Sequence, residues 1–217
     1  MIENKIKISI ITVSFNSQST IRQTIESVFL QDYDNIEYIL IDGGSTDWTL
    51  DIVQNYKYRI KYFISEQDNG IYDAMNKGIQ AATGDVIGIL NSDDFYPNKS
   101  VISKVVSVFE TEKCDSLYGD LVYVKLSDAS KVFRYWKSGV FSVLKFRRGW
   151  MLPHPTFFVK KFIYEKYGLY NTKLNSAADY EMILRLLCKY AIKVAYVPSV
   201  LVKMRVGGTS NANLLNR

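Results

Sequence analysis

The chain has little of what builds metal cages, redox pairs or secreted frameworks: two cysteines and one histidine in 217 residues. Cys114 and Cys188 follow no CxxC spacing, which removes a zinc ribbon or thioredoxin-like motif and leaves two ordinary buried thiols as the expectation. No stretch approaches the roughly 20 apolar residues that span a bilayer. The opening MIENKIK also lacks the apolar core of a secretory signal, so a cytoplasmic protein is expected. Neither GxGxxG nor GxxxxGK[ST] occurs, which takes away the fingerprints of a dinucleotide-binding dehydrogenase and a P-loop ATPase. Internal repeats, low-complexity tracts and linkers are missing too. One domain over 1–217 is therefore expected, with a first half to about residue 113 and a second from about 114.

What is present is a globular composition, 47% hydrophobic and 23% charged, enough to bury a sizeable core. The net charge of +5 is local. Between Lys131 and Tyr164 lie eight basic residues and no acidic one, which leaves the rest of the chain net negative. Phe133, Tyr135, Trp136, Phe141, Phe146 and Trp150 are interleaved with these cations. Two readings stand: a solvated basic face beside an ordinary core, or a contact with an anionic membrane surface or a phosphate-bearing acceptor. The pI of about 9.0 also raises nucleic-acid binding. Confinement of the charge to one segment, and the want of a recognised binding motif, argue against it.

The first half alternates strand and helix patterns. Lys7 to Phe15 reads as a β-branched strand, and Thr20 to Gln31 carries Ile21, Ile25, Val28 and Phe29 at helical spacing, with Thr20 and Gln23 placed as a capping box. Ile36 to Ile41 is a second strand, followed by the turn Asp42-Gly43-Gly44-Ser45 and a helix from about Asp47 to Tyr56 that Ser45 is placed to cap. Tyr62 to Ser65 is a third strand. Ile71, Met75 and Ile79 mark a helix that Gly84 closes, and Val86 to Leu90 is an apolar fourth strand. A helix over about Ser100 to Lys113 follows. In the second half Leu117 to Leu126 reads as a strand or hairpin, Ala178 to Tyr190 as a helix, and Val194–Val197 and Val200–Arg205 as two further strands.

Such alternation points to an α/β fold with a mainly parallel sheet, in which ligands bind beyond the carboxyl ends of the strands. Asn16, Asp42, Glu66, Asp68, Asp93 and Asp94 all follow strands, so acidic and polar side chains collect on one rim. Adjacent carboxylates in Asn91-Ser92-Asp93-Asp94 have two readings, an acidic turn or a site for a hard divalent cation shared with substrate phosphates.

Five segments together resemble the family 2 glycosyltransferases of the GT-A fold: SIITVSFN at Ser9 to Asn16, ILIDGGSTDWT at Ile39 to Thr49, DNGIYDAMNKGIQAATGDVIGILNSDD at Asp68 to Asp94, HPTFF at His154 to Phe158, and AADYEMILRL at Ala178 to Leu187. The resemblance runs from Ile8 to about Ser210. It implies an inverting, metal-dependent enzyme of bacterial surface-polysaccharide synthesis. The expected donor is a nucleotide sugar, with uridine the presumed base, and the expected acceptor is a saccharide or lipid-linked hydroxyl at the inner membrane face. On this resemblance Val13, Ser14 and Asn16 border the nucleotide and Asp42 lies at its acidic turn. Asp93 and Asp94 fill the metal and ribose positions, with Mn²⁺ or Mg²⁺ as the ion, and two alignments leave open which carboxylate touches it. Asp179 falls on the catalytic base. His154 is either a loop residue or a contact to diphosphate or acceptor, and Arg205 either an ordinary strand residue or a phosphate partner whose neighbours Gly207 and Gly208 let a closing loop move.

One departure stands out. Many relatives carry a second acid where this chain has Gly43, and that acid contacts the base of the nucleotide. Asp42 or Asp73 is then the residue left for that contact. Asp179 sits near a helix start, where a carboxylate also serves as a cap, and Glu181 is available for that task while Asp179 faces the cleft. A catalytically inactive nucleotide- or partner-binding module on the same fold is the alternative, and homo-oligomerisation stays open.

Overall fold

The computed structural model describes residues 5–206, except 127 and 175. Its strands and helices run β1 Ile8–Ser14, α1 Ile21–Phe29, β2 Ile36–Asp42, α2 Thr49–Gln54, β3 Tyr62–Ser65, α3 Ile71–Ala81, β4 Val86–Ile89, α4 Val101–Thr111, β5 Ser116–Lys125, β6 Asp128–Trp136, α5 Val143–Arg147, β7 Phe158–Lys160, α6 Lys161–Tyr167, α7 Ala178–Leu184 and β8 Val194–Arg205. One mixed sheet takes in all eight strands, in the order β3-β2-β1-β4-β7-β5. β1 to β4 are mutually parallel, and β7 runs antiparallel to both β4 and β5. β8 pairs in parallel along one edge of β5, while β7 and then β6 take successive stretches of the other. Both halves of the chain thus contribute to a single sheet.

The strands alternate with period two, and in β1, β2 and β4 both faces are covered, so both sets of alternating residues are largely apolar. Ile8 and Ile10 of β1, Tyr38 and Leu40 of β2, and Val86 of β4 face a core completed by α1, α2 and α4. Ile11 and Val13, Ile39 and Ile41, and Ile87 and Ile89 face the opposite core, completed by α3, α6 and α7. The result is three layers, with the sheet in the middle.

Buried polar chemistry pins one end of this sheet. Glu37 on β2 accepts hydrogen bonds from Ser9 Oγ at 2.6 Å, the Thr83 amide at 2.7 Å, Thr83 Oγ1 at 2.6 Å and Lys7 Nζ at 2.9 Å. Burial alone would raise its pKa, but these donors outweigh that and hold the carboxyl down at about 2.

Several local expectations are corrected. Thr20 makes no side-chain cap on α1, because its hydroxyl turns back toward the Ser17 carbonyl. Ser45 does not cap α2, whose Thr49 amide is held by Asp47 at 2.9 Å. The helix before Gly84 ends at Ala81. Gly84 instead packs so closely on β1 that a Cβ there would lie 2.8 Å from the Lys7 carbonyl oxygen. The two expected C-terminal strands are one, β8, irregular where it passes Pro198 and Ser199. The expected helix from Ala178 to Tyr190 is α-helical to Leu184 and continues as a π turn over Arg185–Lys189. The basic aromatic stretch resolves into β6, α5 and β7 rather than one surface.

Candidate functional site

The parallel register brings Ser14, Asp42 and Ser65 side by side at the carboxyl ends of β1, β2 and β3. Asp42 is fully buried there and laces the three strands together. Its Oδ1 accepts Ser14 Oγ at 2.8 Å and Ser45 Oγ at 2.6 Å, and its Oδ2 accepts Ser65 Oγ at 2.8 Å and the amides of Gly44 at 3.1 Å and Ser45 at 2.8 Å. With five internal donors, Asp42 shapes the turn and has no lone pair to spare for a ligand. Asn16, in the left-handed region at φ 47°, joins the same turn: its amide donates to Ser45 Oγ at 2.8 Å and its Oδ1 accepts the Thr46 amide at 2.9 Å.

Against Gly43 lies the carboxylate of Asp68, one of the rim acids to which the sequence assigns no role. A Cβ at this glycine would stand 2.6 Å from Asp68 Oδ2, so Asp68 fills the space of the missing side chain. The other oxygen of Asp68 accepts the Gly70 amide at 2.9 Å. Asp73 is drawn elsewhere, to the Asn69 amide at 3.1 Å and to Lys77 at 3.6 Å, where it secures the start of α3.

β4 leads into the acidic loop, and pairing with β1 continues past its end, from Leu90 N to Ile11 O and from Ser92 N to Val13 O. That backbone link is how Val13 meets the loop. Polar groups at and before α1 hold it from beneath. Thr24 Oγ1 lies 2.9 Å from the Ser92 carbonyl and 2.7 Å from that of Asp94, Ser17 Oγ is 2.7 Å from Ser92 Oγ, and Ser27 Oγ accepts the Tyr96 amide at 3.2 Å. From the far side Arg205 of β8 donates to the Asp93 carbonyl and to Gln23 Oε1, with its guanidinium 4.7 Å over the Phe95 ring. Arg205 is thus a buried brace of the loop. Gly207 and Gly208, expected as its mobile neighbours, lie outside the described residues.

Asp94 is fully buried, and neither of its carboxylate oxygens has a hydrogen-bond partner; Asn91 Oδ1 is likewise unpartnered. Burial first, and the neighbouring Asp93 second, push the Asp94 carboxyl well above the usual range, against the pull of Arg205. Burial raises Asp93 as well. Unsatisfied carboxylate oxygens beside an amide oxygen are a donor set suited to a hard divalent cation. Among the described residues, no three acidic, histidine or cysteine side chains close around one point, so phosphate oxygens or water would have to complete such a shell.

α3 starts a few residues beyond β3, on the same rim, and carries Tyr72 to Asp179. The Tyr72 hydroxyl donates to Asp179 Oδ1 at 3.1 Å, which also accepts the Tyr180 amide at 2.8 Å. Tyr72 stacks on Tyr170 with centroids 5.7 Å apart, and Tyr170 is clamped by two hydrogen bonds of 2.9 Å to the Asn76 side chain. His154 Nε2 is 2.7 Å from the Tyr170 hydroxyl. Buried in a short 3-10 turn, His154 has its pKa lowered by desolvation despite the nearby Asp179, so it is a neutral support of this tyrosine pair. Glu181 is not a helix cap. It pairs with Arg185 at 2.7 Å, leaving Asp179 half-buried and facing Tyr72. Neither Tyr72 nor Tyr170 was singled out from sequence, and nothing local marks them.

A mixed central sheet, parallel over β1 to β4 and flanked by helices on both faces, is the GT-A fold of glycosyltransferases. Residues 9–169 match glycosyl transferase family 2, and the chain belongs to that family. An uncharacterised glycosyltransferase of Mycobacterium tuberculosis is 32% identical over 194 residues, covering 82% of this chain and 68% of that protein. A PGL/p-HBAD biosynthesis glycosyltransferase of Mycobacterium bovis is 29% identical over 208 residues, covering 94% and 78%. In fold the chain is similar to S. aureus TarS in complex with UDP-GlcNAc, at TM-score 0.74 and 20% identity over 94% of this chain. It is also similar to the mannosyltransferase PcManGT of Pyrobaculum calidifontis in complex with GDP-Man and Mn²⁺, at TM-score 0.73 and 16% identity over 98%. The chain spans 60% of the length of each of these two structures.

Proposed function

We propose that the protein transfers a sugar from a nucleotide-sugar donor, a uridine diphosphate sugar, to a hydroxyl of a saccharide or lipid-linked acceptor in surface-polysaccharide or glycolipid synthesis, with inversion. The cytoplasmic membrane face is the proposed place of work. The contact proposed there is peripheral; among the described residues no helix is long and apolar enough to cross a membrane. The observation that carries the reading is the unpartnered, fully buried carboxylate of Asp94 in a loop held rigidly at the strand ends. Such an arrangement costs folding energy, and a bound cation would relieve it.

In this reading Asp94, Asp93 and Asn91 hold Mn²⁺ or Mg²⁺, which when bound offsets the negative charge of the departing diphosphate. Ser14, Asn16 and the Asp42 turn form the wall along the nucleotide, and Asp68 offers beside Gly43 the carboxylate for its base. Asp179, steadied by Tyr72, takes the proton of the acceptor hydroxyl. That oxygen then bonds to the anomeric carbon from the side opposite the diphosphate, and the carbon–oxygen bond to the leaving group breaks. A single displacement of this kind inverts the anomeric centre. Asp179→Asn is expected to lower kcat about 10²-fold with donor affinity unchanged, the scale of a lost general base. Turnover close to wild type would remove Asp179 from the mechanism.

A further inference from the structure

α5 is a short helix held by a single anchor. Phe146, 2% exposed, packs among Phe141, Trp150 and Tyr180, its ring stacked on Tyr180 at 5.5 Å. The other side chains of the helix point outward. Val140 is 67% exposed, Val143 42% and Leu144 65%. Arg147 and Arg148 are exposed beside them, and among the described residues neither has an acidic partner within ion-pair distance. Lys145 is exposed too, but its ammonium donates to the Val140 carbonyl at 3.0 Å and lies 6.0 Å from the Trp150 ring.

Between this helix and α7 lies a pocket of about 370 Å³, lined by Val143, Phe146, Arg147, Tyr180, Leu184 and Cys188. Its walls are mixed, with Val143, Phe146 and Leu184 as the apolar part and Arg147 as the cation, and Tyr180 directly follows Asp179 in the chain. Exposed aliphatic side chains flanked by unpaired cations are complementary to an anionic lipid surface, with its apolar chains beneath anionic heads. β6 is a different kind of surface: its Lys131 pairs with Asp128 at 3.3 Å, and Arg134 lies 5.7 Å over the Tyr123 ring.

We propose that Val140 to Arg148 form a docking surface for an anionic lipid leaflet, with Val140, Val143 and Leu144 entering among the acyl chains and Arg147 and Arg148 meeting the phosphate heads. The inference rests on the proposed transferase reading and narrows it. The acceptor reaches Asp179 as a membrane-anchored lipid phosphate along α5, and not through the whole basic stretch.

The test is co-sedimentation with vesicles of phosphatidylglycerol and phosphatidylcholine, and with phosphatidylcholine alone, at low salt. Wild-type protein is expected to partition with the anionic vesicles and to be released by salt. Leu144→Asp should weaken partitioning about tenfold, and the double variant Arg147→Glu, Arg148→Glu about 25-fold or more, since each interfacial cation is worth about fivefold. Lys131→Glu and Arg134→Glu on β6 should leave it unchanged. All five substituted residues are on the surface, and unchanged nucleoside diphosphate binding by calorimetry verifies that the fold is intact. Equal partitioning of wild type and Leu144→Asp, no partitioning by wild type, or loss only in the β6 variants would overturn the docking surface. Failure to bind any nucleoside diphosphate would sink the transferase reading and leave the vesicle result standing.

Discussion

Replacing Asp94 with Asn gives a sharp consequence, because it keeps the shape of the side chain and removes only the charge. In the apo protein that carboxyl sits fully buried with both oxygens unpartnered, so ionising it is costly, and Asp93 next to it adds repulsion that Arg205 only partly offsets. A buried group left in this state costs about 1–3 kcal/mol. Taking about 2 kcal/mol, and roughly 2–4 °C per kcal/mol for a chain of this length, Asp94→Asn should raise the apo Tm by about 4–8 °C. With Mn²⁺ the order should reverse. At a metal concentration about 100 times Kd the wild type gains about 2.7 kcal/mol by mass action, and the variant, lacking the carboxylate, gains little. Melting curves by scanning fluorimetry, with and without Mn²⁺ and after chelation, read both effects at once. A variant less stable than wild type without metal, or an equal Mn²⁺ shift in both proteins, would show that Asp94 is not a cation ligand kept waiting.

Two further outcomes follow from single contacts. Tyr72→Phe removes the hydroxyl that steadies Asp179 and should lower kcat about tenfold with the donor KM unchanged, the scale of one hydrogen bond to a charged group; a matching fall in Tm would mean that Tyr72 serves the scaffold and not the reaction. Glu37→Gln tests the other end of the sheet. The Glu37 carboxyl is held down at about 2, against 4.5 when unperturbed, so its contribution is present above the unfolded pKa and is lost as pH falls through about 2. The variant should be less stable than wild type by on the order of 3 kcal/mol at pH 7, and the gap should close near pH 2. A gap that stays constant with pH would refute the ionic origin.

β1, β2 and β4 were legible because burial on both faces makes them largely apolar runs, β3 because its short run is β-forming although it is only partly buried, and the acids that follow all four could be placed on one rim from order alone. What those acids do was less legible. Asp42 looked like a ligand contact, but its oxygens are consumed by Ser14, Ser45 and Ser65, and its share in any site is indirect. Asp68 could not be matched to Gly43 without knowing how closely the two loops approach. Tyr72 and Asp179 are 107 positions apart, and no local pattern reports such a pair. β6 stayed ambiguous because it exposes nearly every side chain and so shows no alternation, and β8 was split in two at Pro198, where its pairing shifts instead of ending. The helix caps failed for one reason: hydroxyls of Thr20 and Ser45 that suit a helix start were claimed by other partners.

The backbone pairing of Phe95 with Lys203, and the reach of Arg205 to the Asp93 carbonyl, make the last described strand a strut for the acidic loop more than a hundred residues earlier. A fragment ending after α4 would keep every carboxylate that follows the first four strands, yet the loop would lose its outer support. The first half of the chain is therefore not expected to work as a detachable module. Shortening the protein from its far end should abolish donor capture before it touches any residue that meets the donor.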